Sequence, residues 1–160
     1  MTKPFTILLT LVASWFPAFA ADPIEKTRAG NGAESIASDT KTPVSGRMKI
    51  TVGRREFVVT LDTNAAAVAF KERLPLSLNM HDVNRNEKAC DLSSDLPTND
   101  ANPHMIRLGD LMAWNSRTVV LFYKTFSTPY RYTRLGWIED PEGLAEALGA
   151  GDVTVKFEGQ

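Results

Sequence analysis

The chain predicts a small, mainly β domain, a barrel or sandwich of short strands with two short helices. Three observations carry this reading. Polar and apolar residues alternate in short runs from Arg47 to the end of the chain, the period of a half-buried strand. Turn residues punctuate those runs at short intervals. Only two segments, near 63–75 and 140–149, carry helix punctuation instead.

The first strands are Met48-Ile50-Val52, alternating with Lys49 and Thr51, and Phe57-Val59-Leu61. Gly53-Arg54-Arg55 turns between them, so the two form a hairpin. Thr63 or Asn64 then caps a helix in which the alanines favour helical backbone. Ala67, Phe70 and Leu74 make its apolar face. Pro75 stops it, because the residue before a proline avoids helical geometry. Leu76 to Met80 alternates again. Residues 81–103 are polar and irregular, with a short strand near Lys88 to Leu92. Leu111 to Trp114 and Thr118 to Tyr123 are strands joined by an Asn115-Ser116 turn. The second is apolar almost throughout, as expected of a strand covered on both faces. Phe126 to Tyr130 reads as a turn and Tyr130 to Glu139 as the next strand. Asp140 caps a helix of two to three turns that begins at Pro141, carries Leu144 and Leu148 on one face and ends at Gly149. Asp152 to Phe157 closes the order as an alternating strand.

Three segments of different character divide the chain. Residues 1–20 read as a signal peptide: Lys3 supplies the positive start, Ile7 to Phe16 the apolar run and Ala18-Phe19-Ala20 the cleavage pattern. The run is too short to span a bilayer comfortably, and Pro17 interrupts it. No membrane insertion is therefore expected after cleavage. Residues 21–46 are poor in bulky apolar side chains and read as a flexible N-terminal tether. Residues 47–160 form the folded domain. The expected location is exported, either periplasmic or secreted. Cys90 is the only cysteine, so no intrachain disulfide forms, and it is expected to pack as a small apolar residue.

Composition and motifs exclude several classes of function. Formal net charge is −1 and no basic patch interleaves with aromatics, so nucleic acid is not an expected partner. Asp82-Val83-Asn84-Arg85-Asn86 imitates the start of a calcium loop, but Glu87 stands where that loop needs glycine and Ser93 where it needs a bidentate glutamate. His81 and His104 lack the spacing of a zinc site. There is neither a nucleophile elbow nor a phosphate-binding glycine loop. No cofactor and no metal are expected.

Aromatic residues offer more. Trp114, Tyr123, Phe126, Tyr130, Tyr132 and Trp137 crowd the second half of the domain. About half of them must face the core of an alternating sheet. The remainder, with a nearby arginine, can form a recognition surface. Phe126, Tyr130, Tyr132 and Arg134 are the expected ligand-binding residues. The last three share strand parity and so one face.

A resemblance adds to this reading. Leu74-Pro75-Leu76, Asn86-Glu87-Lys88, Leu96-Pro97-Thr98, Gly109-Asp110-Leu111, Phe122-Tyr123-Lys124, Tyr130-Arg131-Tyr132-Thr133 and Asp140-Pro141-Glu142-Gly143-Leu144 follow one another in the order seen in small bacterial and archaeal cyclophilin-like proteins. The resemblance covers nearly all of Met48 to Glu158. It implies a small closed cyclophilin-like β-barrel with two short α-helices and leaves molecular function unassigned. The Arg, Phe and Gln of prolyl isomerases do not map onto this chain, whose single glutamine is Gln160. No catalytic residue is carried over. The expected function is a monomeric, non-catalytic module that binds a peptide or small ligand. The alternatives are a divergent peptidyl-prolyl isomerase and an oligomeric structural protein that pairs through strand edges.

Overall fold

The structure is a computed structural model that describes residues 46–160. The segments read from the sequence as a signal peptide (residues 1–20) and a tether (residues 21–46), apart from Gly46, lie outside the described residues. Strand β1 (Arg47–Val52) begins where the sequence places the folded domain. It turns at Gly53-Arg54 into β2 (Arg55–Leu61), with Val52 opposite Arg55. Helix α1 (Ala65–Lys71) follows, then β3 (Leu76–Val83) and β4 (Glu87–Asp91). After a long loop come β5 (Met105–Ile106), β6 (Asp110–Trp114), β7 (Thr118–Phe122) and β8 (Phe126–Ser127). Strand β9 (Thr133–Ile138), helix α2 (Leu144–Leu148) and β10 (Val153–Gly159) complete the order.

Eight strands close into an antiparallel barrel in the order β1-β10-β3-β4-β7-β6-β9-β2. The remaining two, β5 and β8, pair as a separate ribbon. Closure is the step that alternation alone leaves open, and it removes the exposed edges of a sheet. The interior is filled by the inward residues of each strand, among them Ile50, Val59, Leu111, Leu121, Leu135 and Phe157, all buried. Phe70 of α1 joins the same cluster and meets the Phe157 ring edge-on at 5.6 Å. Leu144 and Leu148 bring α2 to it. Each such side chain stabilises the fold by roughly 1.5–3 kcal/mol through burial.

A second apolar cluster lies on the opposite face of the wall. In β7, Val119 and Leu121 join the interior cluster, whereas Val120 and Phe122 are buried with Ile106, Met112 and Tyr132 in the outer one. Residues of the β5–β8 ribbon, Ile106 and Phe126, pack in that outer cluster. This double burial explains why Thr118 to Phe122 reads as a continuous apolar run.

Several boundaries differ from expectation. Strand β3 runs on to Val83, past the expected end at Met80. Phe126-Ser127, expected within a turn, pairs with Met105-Ile106. Strand β9 begins at Thr133, so Tyr130 precedes it and Tyr132 joins only through an isolated bridge to Ala101. Helix α2 begins at Leu144 rather than Pro141. Asp140 does accept the Glu142 backbone N–H at 3.2 Å, but Gly143 then adopts φ 74° and breaks the helical path. Arg55 fills the space a Gly143 side chain would take and donates to the Gly143 carbonyl at 3.0 Å. A contact between the first hairpin and the helix entry therefore shortens α2.

The cap of α1 is as the sequence places it. Asn64 Oδ1 accepts the Ala67 N–H at 2.9 Å, and Asn64 Nδ2 donates to the Arg134 carbonyl at 2.6 Å. Asn64→Ala removes both bonds. A loss of about 1–2 kcal/mol is expected in urea unfolding, with an unchanged m-value.

Candidate functional site

A cleft of about 640 Å³ opens on the outer face of the barrel. Its floor is set by strand pairing. Glu87, Ala89 and Asp91 alternate outward along β4, and their partners on β7 are Phe122, Val120 and Thr118. Trp114, opposite Thr118 on β6, extends the floor. The β3–β4 turn supplies one wall through Val83, Asn84 and Asn86, with Asn84 and Arg85 both at positive φ. The chain from Phe126 to Tyr132 supplies the other.

That second wall is held in place. Thr128 donates its backbone N–H to the His104 carbonyl at 3.0 Å, and the Thr128 hydroxyl accepts from Tyr130 N at 3.2 Å. Asn102 Nδ2 reaches the Pro129 carbonyl at 3.2 Å. Arg131 donates to the Asp100 carbonyl. Buried Thr133 donates to the Asp100 carboxylate at 2.5 Å and accepts from Asn99 N at 2.8 Å. The loop from Asn99 to His104 thus braces the segment that carries Tyr130 and Tyr132. Tyr132 also stacks edge-on against Phe122 at 5.5 Å, and Phe126 lies 5.8 Å from the same ring.

Three of the four expected ligand-binding residues, Phe126, Tyr130 and Tyr132, line this cleft. Arg134 does not. It sits past Tyr132 and lines two smaller clefts, one of about 250 Å³ with Asn64, Asn99, Met112 and Tyr132 and one of about 470 Å³ with Asp110 and Trp137. Its guanidinium donates to Asp110 at 3.1 Å and lies over the Trp137 ring at 5.4 Å. Asp110 is itself buried and accepts the Arg107 N–H at 2.8 Å. Arg134 stands opposite Met112, one position before a register shift between β6 and β9, so it does share the outer face with Tyr132. The Asp110 carboxylate instead engages the Arg134 charge outside the larger cleft.

Reasoning from the sequence missed Glu87 and Asn86. Burial pushes the Glu87 carboxyl above the usual carboxylate range. Among the described residues nothing donates to that carboxylate. The Asn86 side-chain oxygen is out of solvent and also lacks a partner. Burial, and then the Glu87 charge, push the Tyr132 phenol up. The available signal was the outward parity of Glu87, Ala89 and Asp91, which needed the boundaries of β4 to be read.

Lys88, of opposite parity, was missed as well. It points inward and is wholly buried. Its ammonium donates to Asp82 at 2.6 Å and to the Gly149 and Gly151 carbonyls at 3.0 and 2.5 Å. Tyr123 donates to the same Asp82 oxygen at 2.8 Å. Asp82, which the calcium-loop imitation borrows, is thus committed to Lys88 and Tyr123. Cys90 is half-buried against the interior cluster, and burial followed by the charge of Asp91 pushes its thiol up, away from reactivity.

The cyclophilin-like family model matches residues 50–158, which span the barrel from β1 to β10. The chain belongs to the cyclophilin-like family. No curated protein matches the chain. Among solved structures it is similar to the solution structure of a hypothetical protein from Archaeoglobus fulgidus. The TM-score is 0.56 at 18% identity, over 76% of this chain and 99% of that one. At that identity the likeness speaks for the shared fold. Within this cyclophilin-like barrel, the outer cleft is a sizeable concave surface with apolar walls and a few polar groups.

Proposed function

We propose that this cyclophilin-like barrel is an exported, non-catalytic module that holds a small ligand, or one side chain of a peptide, in the outer cleft. The observation that carries the reading is the cleft itself. It has the volume of a small-molecule site, an apolar floor at Ala89 and Val120 and aromatic walls at Trp114, Phe126, Tyr130 and Tyr132. Export rests on Lys3, the apolar run after it and the Ala18-Phe19-Ala20 pattern. The alternative, a divergent prolyl isomerase, calls for a cation beside the bound amide, and among the described residues no arginine or lysine lines this cleft.

A fragment titration followed by amide NMR shifts tests the reading. Shifts are expected at Ala89, Thr118, Thr128 and Tyr132. Tyr130 is 63% exposed and fills no core space. Tyr130→Ala is therefore expected to weaken binding roughly tenfold while leaving Tm within a degree or so. Shifts confined to residues remote from the cleft would refute the assignment.

A further inference from the structure

Resting on the binding reading above, we propose that the outer cleft selects an organic ammonium ion carried on an apolar or aromatic body. Its lining shows a one-sided charge pattern. Among the described residues, the two charged side chains that line it, Glu87 and Asp91, are both acidic, and no lysine, arginine or histidine joins them. Both lie on the outward face of β4, two positions either side of Ala89. Asp91 accepts the Thr118 hydroxyl at 2.6 Å, which fixes its carboxylate. Glu87 receives no hydrogen bond and no ion pair among the described residues. The cleft therefore holds a carboxylate without a counter-charge.

Two further features favour a donor-bearing cation. The orphaned Asn86 side-chain oxygen, beside Glu87, is an acceptor without a donor. An ammonium supplies up to three donors and no acceptor. The exposed rings of Trp114 and Tyr130 line the same cleft, and aromatic faces attract ammonium groups. The apolar floor accommodates the body that carries the charge.

Other ligand classes fit less well. Among the described residues, an anion would meet two carboxylates and no cation. A neutral apolar molecule would strip more water from Glu87, whose carboxyl burial already pushes up. A hard metal ion takes six to eight oxygens, and no group of three or more acidic, His or Cys residues among those described is placed to hold one. An ammonium, by contrast, offsets the cost of holding Glu87 ionised.

The test uses the full chain and four probes: 2-phenylethylammonium, neutral 2-phenylethanol, 3-phenylpropionate and an acetylated, amidated Gly-Lys-Gly peptide. Calorimetry gives affinities and amide shifts give the site. The ammonium is expected to bind at least tenfold more tightly than the alcohol, with shifts at Ala89 and Thr118, and the carboxylate is expected to leave the cleft unperturbed. Glu87→Gln should bring the ammonium down to the level of the alcohol. Glu142→Gln, an exposed acid outside the cleft, should change neither affinity. Tighter binding of the peptide than of 2-phenylethylammonium would identify a lysine-bearing chain as the source of the charge; the reverse order would identify a free amine. Equal binding of ammonium and alcohol in the cleft overturns the charge selection and leaves the binding module standing. Failure of every probe to perturb the cleft overturns both. The comparison of ammonium with alcohol needs no substitution, so it decides the matter even if Glu87→Gln folds poorly.

Discussion

Asp82→Asn is expected to lower Tm by roughly 10–20 °C at neutral pH, because it leaves the buried Lys88 ammonium without a counter-charge. The Lys88 side chain is wholly out of solvent, and among the described residues Asp82 is the single carboxylate that it contacts. The Gly149 and Gly151 carbonyls supply dipoles but no negative charge. The Tyr123 hydroxyl loses the ionised acceptor it now shares with Lys88, and the Lys88 ammonium lies 5.5 Å from the Tyr123 ring. Thermal melts of the variant against the unsubstituted chain give the answer. An unchanged Tm would mean that the Asp82–Lys88 pair does not hold the fold as argued.

The same node sets the pH limits of stability. Bonds from Lys88, and then from Tyr123, hold the Asp82 carboxyl below its ordinary value of 3.8. A group whose folded pKa is depressed contributes stability that is present above its unfolded pKa. That contribution is lost as pH falls below about 4, through the folded value. Tyr123 acts in the opposite sense. Burial, and then the bond to Asp82 and its charge, push the Tyr123 phenol up to about 12 from its ordinary value of 10.0. Its contribution is complete below pH 10 and is lost as pH rises from there through about 12. Melting curves should therefore show an acid limb below pH 4 and an alkaline limb above pH 10. Tyr123→Phe should remove much of the alkaline limb, and Asp82→Asn should flatten both.

Gly136→Ala carries the second large effect. Gly136 stands in β9 where that strand pairs with β2 on one side and β6 on the other, across Leu61 and Leu111. A Cβ there would lie 2.4 Å from the Thr60 carbonyl oxygen and 3.1 Å from the Leu61 Cα. Both atoms are backbone, so no rotamer change relieves the contact. The β2–β9 seam must move apart, and it is one of the pairings that close the barrel. A loss of about 2–4 kcal/mol is expected in urea unfolding, overlapping and extending past the upper part of the usual overpacking range. Gly53→Ala is a useful comparison. Nothing lies within 4 Å of a Cβ at Gly53, so its cost is confined to the positive φ of 60°. An equal loss at the two positions would argue against the close approach at the seam.

Much of the fold was legible in the sequence for local reasons. The β1–β2 hairpin follows from alternation on either side of Gly53. The Asn115-Ser116 turn follows from two residues that tolerate positive φ, and both adopt it. The α1 cap follows from an asparagine three residues before Ala67. The start of α2 was misplaced because Arg55, far away in sequence, packs against Gly143. Neither Asp140 nor Pro141 carries a trace of that contact.

For the cleft, the chain by itself determined which residues alternate outward and which aromatics were available. Phe126 and Tyr130 could be singled out without coordinates because aromatics in a turn at a barrel rim are free to meet a ligand, and Tyr132 because it shares parity with Tyr130. Only the tertiary structure decided that β4 lies beside β7, that Glu87 shares a cleft with those aromatics without a counter-charge among the described residues and that Arg134 pairs with Asp110 in a neighbouring cleft. The physical reason is that barrel closure and strand register, set by the whole sheet at once, determine which segments share a surface. Lys88 makes the same point in the interior: its buried charge is tolerable because closure brings Asp82 and the chain after α2 to its ammonium.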